Sequence, residues 1–386
     1  MKKKIIPYGR QFIDSRDILE VQKSLKENFI TTGNYVSKFE YEIKKKFNSK
    51  YAITCSSASA GLHLAFLSIN LKKNDVVIMP SINFISAYRM AHLIGAKIYL
   101  TDVDPKTGQM TPDTLKKCIK QNNLKRIKAI VTMYLGGYIK NNLEFFKIKK
   151  KYECTLIEDA CHAIGGKYSV NKKKFHVGSC KHADLSVFSF HPVKTITTGE
   201  GGVITTNNKR YAEKMKLLRS HGIERERKYW EYDIKKLGYN YRLSDINCAL
   251  GLSQIRKLNS FFLKRKNIFR FYKKKFQSLG NIISHLDTSN IDNCYHFYIL
   301  SIDFKKIRSS KDQFIKFLNN KGILPQYHYV PIFKFSFYKK KNTEMYKGAM
   351  DYYRNTISLP IYYSLTHKQQ IYVINNIMKF LKKNEI

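Results

Sequence analysis

The segment from Asp184 to Thr206 constrains the fold of this chain more than any other segment. It contains two apolar, β-rich runs, Leu185 to Phe190 and Val203 to Thr206, separated by a polar loop that ends in glycines. Apolar runs bounded by Pro and Gly are typical of inner strands of a sheet. The pattern therefore predicts two buried strands connected by a polar loop.

Runs with strand-like and helix-like spacing alternate through the first two thirds of the chain. Ser15 to Ile30 has apolar residues at a helical period, and Tyr51 to Cys55 is a short apolar run followed by small residues and another helical pattern. Alternation of this kind predicts an α/β fold with a mainly parallel sheet.

Lys194 is the lysine of the polar loop, whereas most other lysines of the chain fall in polar runs. Loss of water around an amine lowers its pKa and makes a neutral nucleophile available. Asp159 ends another apolar run and is expected at the same carboxyl edge of the sheet, where ligands bind in open α/β folds. A lysine that forms an imine and an aspartate that holds a cationic ring nitrogen together describe a site for pyridoxal phosphate. From these residues alone, Lys194 could also be a surface lysine and Asp159 a helix cap.

Three short motifs carry a resemblance to a known family: Glu158 to Ala163 (E-D-A-C-H-A), Ser189 to Lys194 (S-F-H-P-V-K) and Gly199 to Gly202 (G-E-G-G). With these motifs the chain resembles the DegT/DnrJ/EryC1/StrS family of sugar-nucleotide aminotransferases over nearly its whole length. The resemblance implies an aspartate-aminotransferase-like α/β fold (fold type I of the pyridoxal-phosphate enzymes). It further implies a large cofactor-binding domain over residues 1–250, a connecting helix over 251–280 and a smaller α+β domain over 281–386.

The resemblance also implies roles for individual residues. Lys194 would carry the cofactor and move protons, Asp159 would pair with the pyridine nitrogen, and His162 would lie near the ring oxygen or near Asp159. Phe84 would stack on the pyridine ring, although core packing would explain it equally well in the bare sequence. Contacts to the cofactor phosphate would come from a small-residue turn and a strand end: Ala58, Ser59 and Ser189. As plain sequence, that turn is also compatible with an ordinary strand–helix connection.

Two further segments are implicated by the same resemblance. In Gly238 to Ile246, Asn240 would cross to a neighbouring subunit and hold the phosphate of its cofactor, which implies a homodimer with shared active sites. Arg242 is a candidate for binding a carboxylate or a diphosphate. The segment Gly322 to Ile332 is similar in pattern to enzymes of pseudaminic acid biosynthesis, and its His328 and Tyr329 would approach the sugar or the diphosphate.

The activity implied by the resemblance is amino transfer that depends on pyridoxal 5'-phosphate. L-Glutamate would give its amino group and leave as 2-oxoglutarate, and the acceptor would be C4 of a UDP-linked 4-keto-6-deoxy-N-acetyl sugar. Alternatives within the fold are C4 aminotransferases that make perosamine, bacillosamine or aminoarabinose precursors. A sugar dehydratase is disfavoured, because a histidine typically replaces the lysine in those relatives, whereas this chain has Lys194.

The formal net charge of +41 raises the question of a nucleic-acid or anionic-membrane partner. The lysines are scattered and no nucleic-acid motif accompanies them, so we expect no nucleic-acid partner and attribute the charge to a general compositional bias. No apolar run approaches the roughly 20 residues of a membrane span, and no signal-peptide pattern follows the N-terminal lysines. The seven cysteines lack the spacing of a zinc site. We therefore expect a cytoplasmic protein with no metal and no membrane contact.

Overall fold

The computed structural model describes residues 5–225, 228, 230–284, 292–338 and 343–385. The strands are β1 (Ile6–Pro7), β2 (Tyr51–Cys55), β3 (Val76–Pro80), β4 (Lys97–Thr101), β5 (Ala129–Met133), β6 (Tyr138–Ile139), β7 (Thr155–Asp159), β8 (Lys167–Val170), β9 (Lys173–His176), β10 (Leu185–Ser189), β11 (Gly202–Thr206), β12 (Glu224–Arg225), β13 (Tyr232–Asp233), β14 (Ile283–Ser284), β15 (Asp292–Asn293), β16 (Tyr298–Ile302), β17 (Ile323–Leu324) and β18 (Thr356–Leu359). The helices are α1 (Ser15–Ser24), α2 (Asn34–Phe47), α3 (Ala58–Ser68), α4 (Ser86–Leu93), α5 (Pro112–Gln121), α6 (Asn142–Lys151), α7 (Lys209–Arg219), α8 (Asp245–Arg256), α9 (Leu258–Phe276), α10 (Lys311–Asn320), α11 (Lys347–Asn355) and α12 (His367–Asn384).

The central sheet has seven strands in the order β2-β11-β10-β7-β5-β3-β4. Neighbours from β10 to β4 are parallel, and β11 alone runs against its neighbours β10 and β2. Every residue of β5 and β11 is buried, as expected for inner strands that are covered on both faces. The predicted α/β class, the mainly parallel sheet and the two strands around the polar loop are confirmed.

The parallel strands bring their carboxyl ends to one edge of this sheet. Asp159 is the last residue of β7 and Ser189 is the last residue of β10. The register pairs Val187 of β10 with Asp159, so the loop that follows β10 starts beside the end of β7. This edge is where an open α/β sheet places its ligands.

A second, antiparallel sheet lies in the C-terminal part, with the order β14-β16-β18. Its apolar residues share one buried cluster with side chains of α9, α10 and α12. Strand β1 pairs with β17, which ties the N-terminal segment to this region. The domain bounds at residues 250 and 280 stay a prediction, and the predicted small domain includes residues 285–291, 339–342 and 386, which lie outside the described part. None of the described helices combines the length and the apolar character that a membrane crossing requires.

The predicted helix over Ser15 to Ile30 is wrong beyond Ser24, where α1 ends. The following residues turn so that the carbonyl of Ile30 accepts a hydrogen bond from the backbone N–H of Asp245, and Thr31 bridges to Ser244. The apolar side chains that extended the helical pattern, including Phe29, are exposed instead of packed on the core. Backbone pairing with a distant segment has overridden the local periodicity.

Asp245 holds the start of α2 from the first turn of α8. Its buried carboxylate accepts hydrogen bonds from the backbone N–H groups of Gly33 at 2.7 Å, Tyr35 at 2.8 Å and Val36 at 3.3 Å. We expect Asp245→Ala to lower the free energy of unfolding by about 3 kcal/mol, because three N–H groups at a helix start lose their acceptor. Asp245→Asn keeps one acceptor oxygen and should lose less in the same urea titration. Equal stability of wild type and Asp245→Ala would contradict this account of the cap.

Candidate active site

A cavity of about 600 Å³ lies at the carboxyl edge of the central sheet. Nine of the eleven predicted site residues line it, and they come from segments far apart in the sequence: Ala58, Ser59, Phe84, Asp159, His162, Ser189, Lys194, His328 and Tyr329. Further lining residues that the sequence argument did not assign are Tyr8, Ser57, Leu62, Ser86, Met133, Cys161, His191, Val193, Glu200, Phe297, Gln326 and Tyr327.

Asp159 lies buried on the cavity wall with weak partners. Its Oδ2 accepts from the Asn83 amide at 3.5 Å, and its Oδ1 accepts from the Cys161 backbone N–H at 3.3 Å. Burial raises the pKa of this carboxyl above its ordinary value, while the hydrogen bonds of Cys161 and the charge of Lys194 oppose the rise. A buried carboxylate in this setting would be stabilised by a cation brought in by a ligand.

Lys194 lies in the loop after β10, where its backbone N–H donates to the carbonyl of His191 at 2.8 Å. Its side chain is half-buried and lines the cavity. Burial lowers the pKa of the amine, and the nearby Cys161 and Asp159 partly offset this effect. The lysine therefore has a larger neutral fraction than a surface lysine, as a nucleophilic amine requires. This position favours the site interpretation of Lys194 over the surface-loop alternative.

The start of α3 forms a cradle for an anion. Ser57 precedes the helix and its Oγ accepts from the Ala60 backbone N–H at 3.1 Å. The N–H groups of a first helical turn have no intrahelical acceptor, and the helix dipole favours a negative charge there. The hydroxyl of Ser59 lies 2.6 Å from that of Ser86, at the start of α4, so two helix starts meet at this wall of the cavity.

Gly202 allows the backbone of β11 to lie against this cradle. A Cβ atom at Gly202 would lie 2.7 Å from the backbone N of Ala58 and 2.7 Å from the carbonyl carbon of Ser57. We expect Gly202→Ala to push the turn away, to cost about 1–3 kcal/mol of stability and to weaken phosphate binding at least about 10-fold. The measurements are urea unfolding and a titration with inorganic phosphate or pyridoxal phosphate. As a control, Gly280→Ala places its Cβ 3.7 Å from the nearest atom and should change neither value; a Gly202→Ala protein equal to wild type would contradict the close approach.

His162 is a buried residue of the cavity wall, and both of its ring nitrogens have hydrogen-bond partners. Gly136 N–H donates to Nδ1 at 3.4 Å, and Nε2 lies 3.1 Å from the hydroxyl oxygen of Tyr329. The ring stacks on His296 at 4.4 Å between centroids. Burial, together with the positive charge of Lys194, lowers the pKa of His162 well below its ordinary value, so the imidazole is neutral.

Another part of the cavity wall is aromatic. His328 stacks on Phe297 at 3.8 Å between ring centroids, and its Nδ1 lies 2.8 Å from the hydroxyl of Ser358. Phe84 is 54% exposed and lies 5.8 Å from the ring of Tyr329. Because Phe84 is exposed and lines the cavity, its ring can cover a planar group there, and the core-packing alternative is disfavoured.

Asn240 and Arg242 are not among the described residues that line the cavity. Asn240 is exposed and forms an isolated bridge with Ser220, while Arg242 is half-buried. Asn83 and Phe297 were not predicted as site residues. Asn83 directly precedes Phe84, and the only signal for Phe297 is its place in an aromatic run next to β16. Among the described residues, no group of three or more His, Cys, Asp or Glu side chains has the arrangement of a metal site.

The donor set of the cavity fits pyridoxal phosphate. Asp159 is a buried carboxylate that forms no salt bridge within the described part of the chain, and it suits a protonated ring nitrogen. A partly desolvated amine suits an aldehyde, and the start of α3 suits a phosphate. The exposed ring of Phe84 adds a stacking surface for a planar heterocycle. Each part of the cofactor thus has a counterpart among the residues present.

Comparisons with known proteins agree with this chemistry. The model of the DegT/DnrJ/EryC1/StrS aminotransferase family matches residues 11–378. The chain is 36% identical over 381 residues to a UDP-4-amino-4,6-dideoxy-N-acetyl-beta-L-altrosamine transaminase of Campylobacter jejuni, with 98% of each chain covered. It is 29% identical over 378 residues to GDP-perosamine synthase of Escherichia coli O157:H7, with 98% of this chain and 99% of the relative covered. Among solved structures, it is similar to PseC of Helicobacter pylori, an aminotransferase involved in the biosynthesis of pseudoaminic acid, with a TM-score of 0.90, 29% identity, and 98% and 100% of the two chains covered.

Proposed function

The chain belongs to the DegT/DnrJ/EryC1/StrS aminotransferase family, and from this premise we propose that it transfers an amino group from L-glutamate to C4 of a UDP-linked 4-keto-6-deoxy-N-acetyl sugar. The product would be UDP-4-amino-4,6-dideoxy-N-acetyl-β-L-altrosamine, on the route to pseudaminic acid. As a member of this family, the chain is a pyridoxal-phosphate-dependent sugar aminotransferase with the aspartate-aminotransferase-like fold. The observation that carries the proposal is the convergence of Lys194, Asp159 and the start of α3 on one cavity.

The substrate assignment is supported by the similarity to the altrosamine transaminase of Campylobacter jejuni at 36% identity. The similarity to the GDP-perosamine synthase is weaker, at 29% identity, although it also extends over almost the whole chain. A UDP-linked acceptor is therefore the better-supported substrate, and a GDP-linked 4-keto sugar is the competitor to be tested.

In the proposed mechanism, each residue of the cavity has a separate role. Pyridoxal phosphate, when bound, supplies an aldehyde that captures amines and a protonated ring that withdraws electrons. Asp159 would keep the ring nitrogen protonated, and Phe84 would cover the ring. The amine of Lys194 takes the proton from the α-carbon of L-glutamate as a general base and returns a proton as a general acid. In the second half of the reaction, Lys194 delivers a proton to C4 of the sugar.

The remaining residues of the cavity bind and orient the cofactor and the acceptor sugar. The backbone at Ala58 and the hydroxyls of Ser59 and Ser189 would hold the phosphate of the cofactor, in keeping with the anion cradle at the start of α3. His328 and Tyr329 approach the acceptor sugar from the aromatic wall. Walls of this kind exclude water, which strengthens the electrostatic interactions of the reacting groups.

We propose that the complete site requires a second copy of the chain. Among the described lining residues, Lys194 is the only Lys or Arg side chain, while Asp159 and Glu200 add negative charge. The diphosphate of the acceptor and the two carboxylates of glutamate need further donors. Asn240 and Arg242 lie outside their own cavity, and in a homodimer with shared sites Asn240 of the partner subunit would reach the cofactor phosphate.

A complementation experiment tests this dimer. If each site takes Lys194 from one copy and Asn240 from the other, a heterodimer of one Lys194→Ala chain and one Asn240→Ala chain has one intact site. Random reassociation of equal amounts should then restore about one quarter of the wild-type activity at limiting cofactor. Mixing Lys194→Ala with a Lys194→Ala/Asn240→Ala double variant is the matched control and should restore none. Absence of any recovery from the first mixture, with heterodimers present, would rule out shared sites.

The substrate proposal is tested with a panel of donors and acceptors. The cofactor-loaded protein is incubated with L-glutamate and with UDP-linked or GDP-linked 4-keto-6-deoxy sugars, and the products are identified by mass spectrometry and NMR. We expect amination at C4 of the UDP-linked N-acetyl sugar with formation of 2-oxoglutarate. Faster turnover of a GDP-linked acceptor would replace the proposed substrate with a perosamine-type one.

A further inference from the structure

The hydrogen bonds around His162 run in a single direction. The backbone N–H of Gly136 can only donate, so Nδ1 of His162 must accept it with a lone pair. The imidazole is neutral, because burial and the charge of Lys194 lower its pKa well below the ordinary value, and it therefore carries one proton. With Nδ1 acting as the acceptor, that proton is on Nε2.

Nε2–H in turn donates to Tyr329, whose hydroxyl oxygen lies 3.1 Å away. Because this oxygen accepts from His162, the hydroxyl proton of Tyr329 must point elsewhere. No second partner of this hydroxyl lies within hydrogen-bond distance in the described part of the chain. Burial and the nearby Asp159 raise the pKa of Tyr329 well above its ordinary value, so the hydroxyl keeps its proton.

The backbone and the packing around His162 fix the direction of the hydrogen bonds from Gly136 through His162 to Tyr329. Gly136 has φ 72° and ψ −6°, a left-handed conformation that suits glycine, and an added Cβ there would lie 3.0 Å from Ile299. The ring of His162 is fixed between the stacked His296 at 4.4 Å and the edge-on Phe297 at 4.6 Å between centroids. The donor chain is therefore preorganised before any ligand arrives.

We propose that Tyr329 is a fixed hydrogen-bond donor for a ligand oxygen that carries negative charge, and that Gly136 and His162 set its direction. Tyr329 lines the cavity together with Phe84, Asp159 and Lys194, so its proton is available to a group bound among them. A hydroxyl that accepts one hydrogen bond becomes a stronger donor of the next, and a donor fixed in advance costs no reorganisation when charge develops.

Two oxygens have the required chemistry, and the inference rests on the proposed function for both. One is the phenol oxygen of pyridoxal phosphate. The other is the carbonyl oxygen of the keto sugar, which must leave as water when the amine is installed. Tyr329→Phe removes only the hydroxyl and therefore separates the two.

The first arm measures the bound cofactor without any turnover. The visible absorbance of the protein loaded with pyridoxal phosphate is titrated against pH in wild type and in Tyr329→Phe. A donor to the phenol oxygen stabilises the deprotonated, more negative form of the cofactor. Its loss should then raise the midpoint by about one pH unit. This result would support Tyr329 as a donor to the cofactor even if the acceptor sugar had been assigned wrongly.

The second arm measures the two half-reactions separately by single-turnover kinetics. If the keto oxygen is the acceptor, Tyr329→Phe leaves the absorbance midpoint unchanged and slows the step with the keto sugar by about 10²–10³-fold. The step with L-glutamate should stay within about threefold of wild type. An unchanged midpoint together with unchanged rates in both half-reactions would overturn the proposal.

The role of His162 is tested through its coupling to Tyr329. His162→Phe keeps an aromatic side chain but removes both ring nitrogens, including the Nε2–H donor. It should shift the absorbance midpoint or the keto-sugar rate in the same direction as Tyr329→Phe does. The His162→Phe/Tyr329→Phe double variant should shift the midpoint or the rate no further than Tyr329→Phe alone, because both substitutions break the same series of hydrogen bonds. Additive effects would overturn the directional role of His162. Tyr272→Phe is the control: it deletes a buried hydroxyl that donates to the carbonyl of Pro360 at 3.0 Å, away from the cavity, and should leave the absorbance and the rates unchanged.

Discussion

Lys194→Ala is expected to reduce turnover by more than about 10⁴-fold, because it removes both the nucleophilic amine and the proton-transfer group of the site. The pocket around position 194 is otherwise retained, since the backbone of this loop is held by its own hydrogen bonds, such as that from the Lys194 N–H to the carbonyl of His191. The measurement is 2-oxoglutarate formation with a 4-keto sugar nucleotide as acceptor, together with the visible spectrum of the purified protein.

Lys181→Ala is a suitable control for the Lys194 experiment. It removes an exposed lysine from the segment that leads into β10 and should leave turnover and spectrum at their wild-type values. If Lys194→Ala retained more than about a tenth of the wild-type rate with the same visible band, the amine of this residue would not be the group that carries the chemistry.

Asp159→Asn is expected to leave the cofactor bound while slowing proton transfer by about 10²–10³-fold. The amide has the same shape as the carboxylate but has no charge with which to keep the ring nitrogen protonated, so the ring withdraws electrons less well. Pre-steady-state absorbance after mixing with L-glutamate measures this step directly. Equal rates in wild type and variant would show that the charge of the ring nitrogen is set elsewhere.

Glu158 provides a matched comparison on the same strand. Its carboxylate is also buried but accepts from the hydroxyls of Tyr134 at 2.5 Å and Ser186 at 2.6 Å, and it does not line the cavity. Glu158→Gln should lower the unfolding midpoint in urea, because the hydrogen-bond pattern around the side chain changes, and should leave the rate with L-glutamate within a few-fold of wild type. The two substitutions therefore separate a loss of chemistry from a loss of stability.

Much of the fold followed from local patterns. The run Leu185 to Phe190 and the run Val203 to Thr206 correspond to β10 and β11 within one residue at each end. The meeting of Lys194 and Asp159 followed from a general rule, because parallel strands end at one edge of the sheet. The identity of the cofactor followed from the types of these two residues and from the family motifs around them.

The parts that were not predicted depend on contacts between distant segments. Tyr329 and His162 are 167 residues apart in the chain, and no local pattern relates them. The stacking of His296 behind His162 has no signal in either segment. The early end of α1 has the same origin, since it depends on pairing with Ser244. The predicted role of Asn240 involves a second copy of the chain, and it stays a prediction.

The most direct test of the account is to trap the lysine that carries pyridoxal phosphate. The purified protein is saturated with the cofactor, reduced with sodium borohydride, digested with a protease and mapped by mass spectrometry. The account predicts a yellow protein and a single stoichiometric pyridoxyl adduct on Lys194, despite the many other lysines of the chain. A colourless protein, or an adduct spread over other lysines with position 194 unmodified, would contradict it.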